Sequence, residues 1–213
     1  MAELSFAIEG ARAVPLAASP QIALDVVLRS VPARPIESVL LRCAVRIETA
    51  ARAHDRAEQA RLAGLFGPPE QWSRSSRSLL WAQVTCVVSG FDRSARCELL
   101  LPCSYDLAAA ASAYLQRVHA GVVPISAQFS GTVFHRTEAG LQVEPIAWDR
   151  DAGFQLPVAL FHAVIDQHFP DAGVLGLRRD LYQRLDRYRV ARGLPSWEHA
   201  VEQLLAGSEE LAP

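Results

Sequence analysis

The sequence predicts an α+β fold, in which a mainly antiparallel β-sheet is covered by a helix and followed by a helical C-terminal tail. Apolar residues alternate with period two along several segments of the first two thirds of the chain, which is typical of half-buried strands. One alanine-rich segment and the last third of the chain have apolar residues at three- and four-residue spacing instead, which is typical of helices. We expect residues 1–148 to form the sheet and its helix, and residues 149–213 to form the tail packed on it as one structural unit.

Three alternating segments precede residue 50. They are Leu4–Ile8, Ile22–Leu28 and Val39–Ile47, and each is predicted to be a strand. On the third strand Arg42 and Arg46 share one face, because side chains two or four positions apart point the same way. We interpret this face as a solvated sheet surface rather than an anion site.

A helix is expected to interrupt the strands between Ala50 and Phe66, where apolar residues lie at helical spacing and the chain closes with Gly67-Pro68-Pro69. Trp72 follows, at the start of a polar segment, Ser73–Ser78, which is predicted to be an exposed loop. An aromatic side chain in a polar loop is a candidate partner contact, and packing beneath the loop is the alternative.

The stretch from Ser78 to Phe134 contains the core of the predicted sheet. Residues Leu80–Val88 and Cys97–Leu101 alternate, and turn-forming residues separate them. We expect these two strands to pair as a hairpin, since a short turn joins antiparallel neighbours.

The alanine-rich helix is expected between Ser104 and Gly121. Ser104 can accept hydrogen bonds from the amides of the first turn, Asp106 suits the helix dipole, and Gly121 follows the last periodic residue. An apolar stripe from Leu107 to Val118 is expected to lie against the sheet. The strand Val123–Phe134 comes next, so the element order predicts a sheet covered on one face only.

The pattern beyond Asp149 is helical. After a predicted hairpin around Thr137–Gly140, three helices are expected to begin near Pro157, Leu177 and Trp197. Each has a single apolar stripe, and three short helices make a marginal core by themselves, so we expect the tail to pack on the sheet.

Composition restricts the classes of partner and location. The chain has 213 residues, of which 50% are hydrophobic and 21% charged, and its net charge is −2 with no block of like charges. That balance argues against a nucleic-acid partner, which would require clustered positive charge. No run of about 18 apolar residues predicts a membrane span, and the N-terminus lacks the features of a signal peptide. We therefore expect a cytoplasmic protein.

The cysteines predict neither a disulfide nor a metal site. Cys43, Cys86, Cys97 and Cys103 contain no Cys-x-x-Cys pair, and three of them fall on the apolar face of a predicted strand. A thiol in that position behaves as a small hydrophobe, so free buried cysteines are expected. No cofactor is predicted.

Catalytic candidates are few. His162 and Asp166 lie one turn apart on a predicted helix, the arrangement of a general-base pair, but no nucleophile accompanies them. Together with Trp148 they define an alternative pocket between the sheet and the C-terminal helices. Such a pocket would make the protein an enzyme or a small-ligand carrier.

Three segments resemble an uncharacterised bacterial family that is associated with nickel–iron hydrogenase gene clusters. They are Leu101–Leu107, Gly121–Phe134 and Arg192–Glu198. The resemblance covers nearly the whole chain. It implies a genomic neighbourhood and a domain of unknown function, and it assigns no catalytic residue.

The element order of residues 4–130 is also similar to that of the export chaperone SecB, at a weaker level. In that fold a four-stranded antiparallel sheet precedes a helix, and Gly, an apolar pair, Pro and an extended segment follow, as in Ala113–Ile125. The resemblance ends after Gly131, and the helix inserted at Ala50–Phe66 has no counterpart in it. It implies a chaperone-like oligomer that binds unfolded clients.

These observations favour a non-enzymatic binding or assembly protein whose partner is another polypeptide, either a hydrogenase subunit or an unfolded client. Apolar side chains on the outward strand faces, together with Trp72, are the expected partner surface: Leu40, Leu79, Trp81 and Val87. Exposed apolar positions of this kind also predict a homo-oligomer.

Overall fold

The computed structural model describes residues 3–72, 77–104, 109–138, 140–170 and 176–209, and the chain divides into two units, Met1–Val174 and Leu175–Pro213. The fold is α+β. The described strands are β1 (Glu3–Ala13), β2 (Gln21–Val31), β3 (Ile36–Ile47), β4 (Leu79–Phe91), β5 (Ser94–Pro102), β6 (Val122–Thr137), β7 (Gly140–Pro145) and β8 (Asp151–Pro157). The described α-helices are α1 (Arg56–Phe66), α2 (Ala110–Arg117), α3 (Val158–His168), α4 (Arg179–Ala191) and α5 (Trp197–Glu209).

The strands of the first unit form two antiparallel sheets that share one core. The three-stranded sheet has the order β1-β2-β5, and the five-stranded sheet has the order β4-β3-β6-β7, with β8 also paired to β6. Buried side chains of both sheets belong to a single hydrophobic cluster. The rings of Phe6 on β1 and Phe129 on β6 stack with centroids 4.2 Å apart, which joins the two layers directly. The inner faces of the sheets therefore pack against each other.

The predicted hairpin of the fourth and fifth strands is wrong. Although only residues 92 and 93 separate them, β4 pairs with β3 and β5 pairs with β2. The chain crosses from one sheet to the other at this turn. Crossing allows both strands to turn apolar side chains such as Val88 and Leu99 into the shared core from opposite sides.

Helix α2 follows β5, as expected, but its first residue differs from the prediction. The residue that precedes it is Ala109, which makes no side-chain cap, so Ser104 is not the N-cap of α2. Asp106 and Leu107 lie outside the described residues. Tyr114 and Leu115 are fully buried, and α2 packs against α1 and β4. The inner face of the five-stranded sheet packs against the other sheet, and Tyr114 and Leu115 of α2 belong to the same hydrophobic cluster.

The chain after Asp149 begins with a strand rather than a helix. Strand β8 pairs with β6, with Phe154 opposite Ile125, because Ala152, Phe154 and Leu156 alternate with polar or small residues. The helix expected near Pro157 is present as α3, and its Phe161 is fully buried in the core of the first unit.

The second unit is a helical hairpin of α4 and α5. The ring centroids of Tyr182 and Trp197 lie 5.1 Å apart, and the guanidinium of Arg189 lies 4.8 Å from the Trp197 centroid. Among the described side chains of the hairpin, Ala200 alone is buried. Packing of this hairpin on the sheet stays a prediction.

Candidate functional site

The side of the five-stranded sheet that faces away from the shared core, here called the outer face, is solvent-exposed. Strand β3 places Leu41, Cys43 and Val45 in the core, so the intervening residues Leu40 and Arg42 point outward. In the antiparallel register Leu40 lies between Val87 of β4 and Thr132 of β6. The outer face is therefore a continuous surface that spans neighbouring strands.

One end of the outer face is apolar. We define the apolar patch as Val87, Leu40, Phe134 and Val143, one residue from each of β4, β3, β6 and β7. Val87 is 72% exposed and Val143 is 57% exposed, while Leu40 and Phe134 are half-buried. Val87 and Leu40 form a cross-strand pair, Phe134 pairs with Val143, and Leu40 and Phe134 are diagonal neighbours across β3 and β6.

The outer face next to the apolar patch is basic. Arg42 lies between Thr85 and Ser130, and Arg46 lies four residues further along β3 on the same face. Both arginines are exposed, and no described residue forms an ion pair with either of them. The outer face thus combines apolar anchoring positions with two available positive charges.

Strand β4 borders the outer face and forms one edge of its sheet. Among the strands that the structure describes, β3 alone pairs with β4. The other edge of β4 consequently presents backbone N–H and C=O groups that another strand could use.

A β-bulge changes which β4 residues reach the outer face. The register shifts between Val45 and Arg46, so Leu80, not Leu79, is turned outward and is 46% exposed. Leu79 and Trp81, predicted to point outward, are partly buried against the core, and Trp81 Nε1 donates a hydrogen bond to the Pro102 carbonyl at 3.0 Å. Leu40 and Val87 do lie on the outer face.

The predicted contact residue Trp72 lies in an aromatic group beside α1. Its Nε1 donates to the Gly67 carbonyl at 2.8 Å, and its ring meets Phe66 and His54 edge to face. Trp72 is therefore half-buried and packed, the alternative considered for this residue. Residues 73–76 of the loop that follows it lie outside the described residues.

A buried polar cluster that the sequence analysis missed lies under Trp72. Arg52 donates two hydrogen bonds to the Glu58 carboxylate, at 2.9 and 3.0 Å, and a third to the Ala120 carbonyl at 2.8 Å. His54 Nδ1 lies 3.1 Å from Glu58 Oε2, and the Tyr114 hydroxyl lies 3.5 Å from His54 Nε2. The cluster joins α1, α2 and the turn before β6.

The hydrogen bonds of this cluster stabilise the negative charge of Glu58. Burial opposes ionisation of Glu58, but hydrogen bonds from Arg52 and His54 outweigh it and hold the pKa of Glu58 below its ordinary value. Burial raises the pKa of Tyr114. Because the carboxylate is enclosed and bonded on both oxygens, the arrangement is that of a structural ion pair rather than an acid poised to react.

Comparison with known proteins adds a family but no activity. A model of the family of unknown function DUF6084 matches residues 1–213. The chain belongs to this family. No curated protein matches the chain.

Two solved structures resemble this DUF6084 chain weakly. One is a β-glucosidase from Kluyveromyces marxianus, at 6% identity and a TM-score of 0.28, matched over 73% of this chain and 15% of the enzyme. The other is a Bordetella pertussis protein that carries the name ApaA, at 14% identity and a TM-score of 0.26, matched over 73% of this chain and 93% of its own. This chain spans about one sixth of the β-glucosidase length. Neither likeness supports an argument about fold or function.

The alternative pocket of the DUF6084 chain does not assemble from the described contacts. His162 Nε2 lies 2.8 Å from the Val118 carbonyl, and its ring stacks on His119 with centroids 5.5 Å apart. Asp166 is exposed, and Trp148 is 85% exposed in the turn between β7 and β8. No described hydrogen bond or ring contact connects His162, Asp166 and Trp148 with one another.

The described parts of the DUF6084 chain contain neither a metal-binding group of side chains nor a membrane-spanning helix. No group of three or more His, Cys, Asp and Glu side chains there is arranged to hold a metal ion. None of the described helices combines the length and the apolar character needed to cross a membrane.

Proposed function

We propose that this protein is a non-enzymatic binding or assembly protein that holds another polypeptide on the outer face of its five-stranded sheet. The apolar patch supports the proposal, because it crosses four strands and leaves Val87 and Val143 more than half exposed. Single exposed apolar residues are ordinary, but a contiguous group at neighbouring register positions is typical of a partner site.

The chemistry of the outer face specifies the kind of segment it suits. Val87 lies on the edge strand β4, so a bound segment can pair with the edge of β4 and place a side chain beside Val87, and the rest of the bound chain can continue over the apolar patch. Arg42 and Arg46 lie on the same face without described ion-pair partners, and they favour carboxylates beside the apolar residues. The proposed partner is therefore an extended apolar segment flanked by acidic residues.

Two polypeptide sources fit this chemistry. The resemblance to the hydrogenase-associated family makes a nickel–iron hydrogenase subunit the first folded partner to test. The second source is an unfolded chain that contains an extended apolar segment flanked by acidic residues, which is the client that a chaperone-like role requires.

Titration calorimetry with synthetic peptides tests the proposal. One peptide has an extended Val/Leu centre flanked by glutamates, and its control has the same centre flanked by lysines. Two exposed ion pairs contribute roughly 0.5 kcal/mol each, so the acid-flanked peptide should bind about fivefold more tightly. Equal affinity for the two peptides would contradict the assigned role of Arg42 and Arg46.

A matched pair of variants locates the binding surface. Val87→Asp should weaken peptide binding about tenfold, since burying a largely exposed valine contributes about 1–2 kcal/mol. Leu16→Asp makes the same kind of change at a 98% exposed position in the turn between β1 and β2, and it should leave binding unaltered. Equal losses of peptide affinity in the two variants would contradict the assignment of the outer face as the binding surface.

A second copy of the chain is the competing occupant of the apolar patch. Light scattering at micromolar concentration decides between the occupants. A dimer that dissociates in Val87→Asp would assign the apolar patch to self-association, whereas a monomer that binds the acid-flanked peptide supports the proposal.

A further inference from the structure

The second unit has too small a core to bury its own apolar side chains. Its two helices contact each other through the rings of Tyr182 and Trp197, and the Tyr188 hydroxyl donates a hydrogen bond to Gln203 Oε1 at 3.0 Å. Ala200 is nevertheless the single buried residue among the described side chains of α4 and α5. Two helices of 13 residues each are too short to form a stable core by themselves, so this hairpin needs a further surface to pack on.

Each helix has an apolar stripe that its neighbour leaves partly uncovered. On α5 the stripe consists of Trp197, Val201 and Leu204, which follow helical spacing and are each more than one third exposed. On α4, Leu181 is exposed to a similar extent, and Leu185 one turn later is half-buried. The two stripes therefore offer apolar surface that contacts between α4 and α5 do not bury.

The two helices carry opposite charge. Helix α4 contains four arginines and two aspartates, whereas α5 contains three glutamates and neither lysine nor arginine. Arg184 and Arg187 are three positions apart, so they share one side of α4. Glu198 and Glu202 are four positions apart and share one side of α5. All four side chains are exposed, and none of them forms an ion pair with a described residue.

We propose that the second unit self-associates, with α4 of one copy lying against α5 of another copy. In a two-fold dimer each contact occurs twice, so the basic side of each α4 meets the acidic side of an α5 in both halves of the interface. The apolar stripes are then buried between the helices, as in a helical bundle, and the flanking charges set the orientation. Contacts of α4 with α4, or of α5 with α5, would bring like charges together, which selects the mixed pairing.

The size of this surface sets the expected affinity. Each helix of 13 residues is about 20 Å long and about 10 Å wide, so the two-helix face offers roughly 400 Å2 per copy. A standard interface buries about 800 Å2 per partner, so we expect a dimer that dissociates in the micromolar range. The interface uses other residues than the apolar patch, and this inference does not rest on the proposed function.

Sedimentation velocity of the full-length protein, from low micromolar to submillimolar concentration, tests the inference. The wild type should shift from monomer to dimer as its concentration rises. Leu204→Asp should remain monomeric because it places a charge on the apolar stripe of α5, whereas Val87→Asp should dimerise as the wild type does. A wild type that is monomeric throughout, or a dimer that Val87→Asp dissociates and Leu204→Asp does not, would overturn the inference.

Charge reversals test the pairing of α4 with α5 and do not depend on a loss of folding. One double variant has Arg184→Glu and Arg187→Glu, and the other has Glu198→Arg and Glu202→Arg. Each variant alone should self-associate at least about tenfold more weakly, because both halves of its interface then carry like charges. An equimolar mixture should form a heterodimer of wild-type affinity, since every helix again meets the opposite charge. A mixture that stays monomeric, or reversals that leave the dimer unchanged, would contradict the proposed pairing.

Discussion

Replacement of Gly131 by alanine should destabilise the protein more than any other glycine-to-alanine change at positive φ in the described sheets. Gly131 lies in β6 opposite Leu41 of β3, with a φ of 137°. A Cβ at this position would lie 2.0 Å from the Leu40 carbonyl oxygen and 3.3 Å from the Leu41 Cα. Both atoms belong to backbone, so the clash is relieved only by separating β3 from β6.

The magnitude follows from two contributions. Alanine at positive φ costs about 1–2 kcal/mol. Separating the strands locally breaks about two ladder hydrogen bonds, at a net cost of roughly 1 kcal/mol each. The expected loss of about 3–4 kcal/mol is a large share of the roughly 5–15 kcal/mol by which domains are stable.

Urea unfolding followed by circular dichroism measures this loss, and Gly140→Ala is the matched control. Gly140 also has a positive φ, 108°, but no atom lies within 4 Å of the Cβ position. The control should therefore lose only the conformational contribution, about 1–2 kcal/mol. Equal losses in the two variants would refute the close approach of β3 and β6 at Gly131.

Two other predictions concern the buried cluster and the chain after β7. Glu58→Gln should cost about 3–5 kcal/mol in urea unfolding, because it leaves the largely buried Arg52 without its carboxylate. The folded pKa of Glu58 is lowered, so its contribution is complete above its unfolded pKa of about 4.3 and is lost as pH falls through the folded value. The difference between wild type and Glu58→Gln should shrink in acid, and a constant difference would count against the ion pair. Truncation after Pro145 removes β8 and α3 with the fully buried Leu156 and Phe161, so residues 1–145 should not unfold cooperatively. A cooperative transition would show that the removed region is a separate module.

The local pattern of apolar residues was sufficient to predict most strands and helices of the first unit. The alternation of apolar and polar residues predicted β3 correctly, because one face of that strand is buried in the core and the other faces solvent. Helix α1 ends at Phe66, as the apolar spacing and Gly67 indicated. These features depend on residues that are close in sequence.

The arrangement of the sheets depended on contacts that are distant in sequence. A tight turn between β4 and β5 is compatible with a hairpin and with a crossing between sheets, and only the strands that precede them decide which occurs. The bulge near Val45 is likewise invisible to alternation, and it exchanged the expected orientations of Leu79 and Leu80. The predicted outward orientation of Leu79 was therefore wrong.

The buried cluster illustrates the same limit. His54 and Glu58 are four positions apart at the start of α1. Asp55 caps that helix, because its side chain accepts a hydrogen bond from the Glu58 backbone amide at 2.8 Å. This part of the cluster could therefore be predicted from local spacing. Tyr114 and the Ala120 carbonyl complete it from more than fifty residues away. No local pattern indicates that these groups meet.

Hydrogen–deuterium exchange with and without the acid-flanked peptide tests the central claim most directly. Strand addition at β4 gives hydrogen bonds to amides of its free edge, so peptides from residues 79–91 should exchange more slowly when the ligand is bound. Strands β1 and β2 of the other sheet should not change. Unaltered exchange in residues 79–91 at saturating peptide, or protection confined to the three-stranded sheet, would contradict polypeptide binding on the outer face.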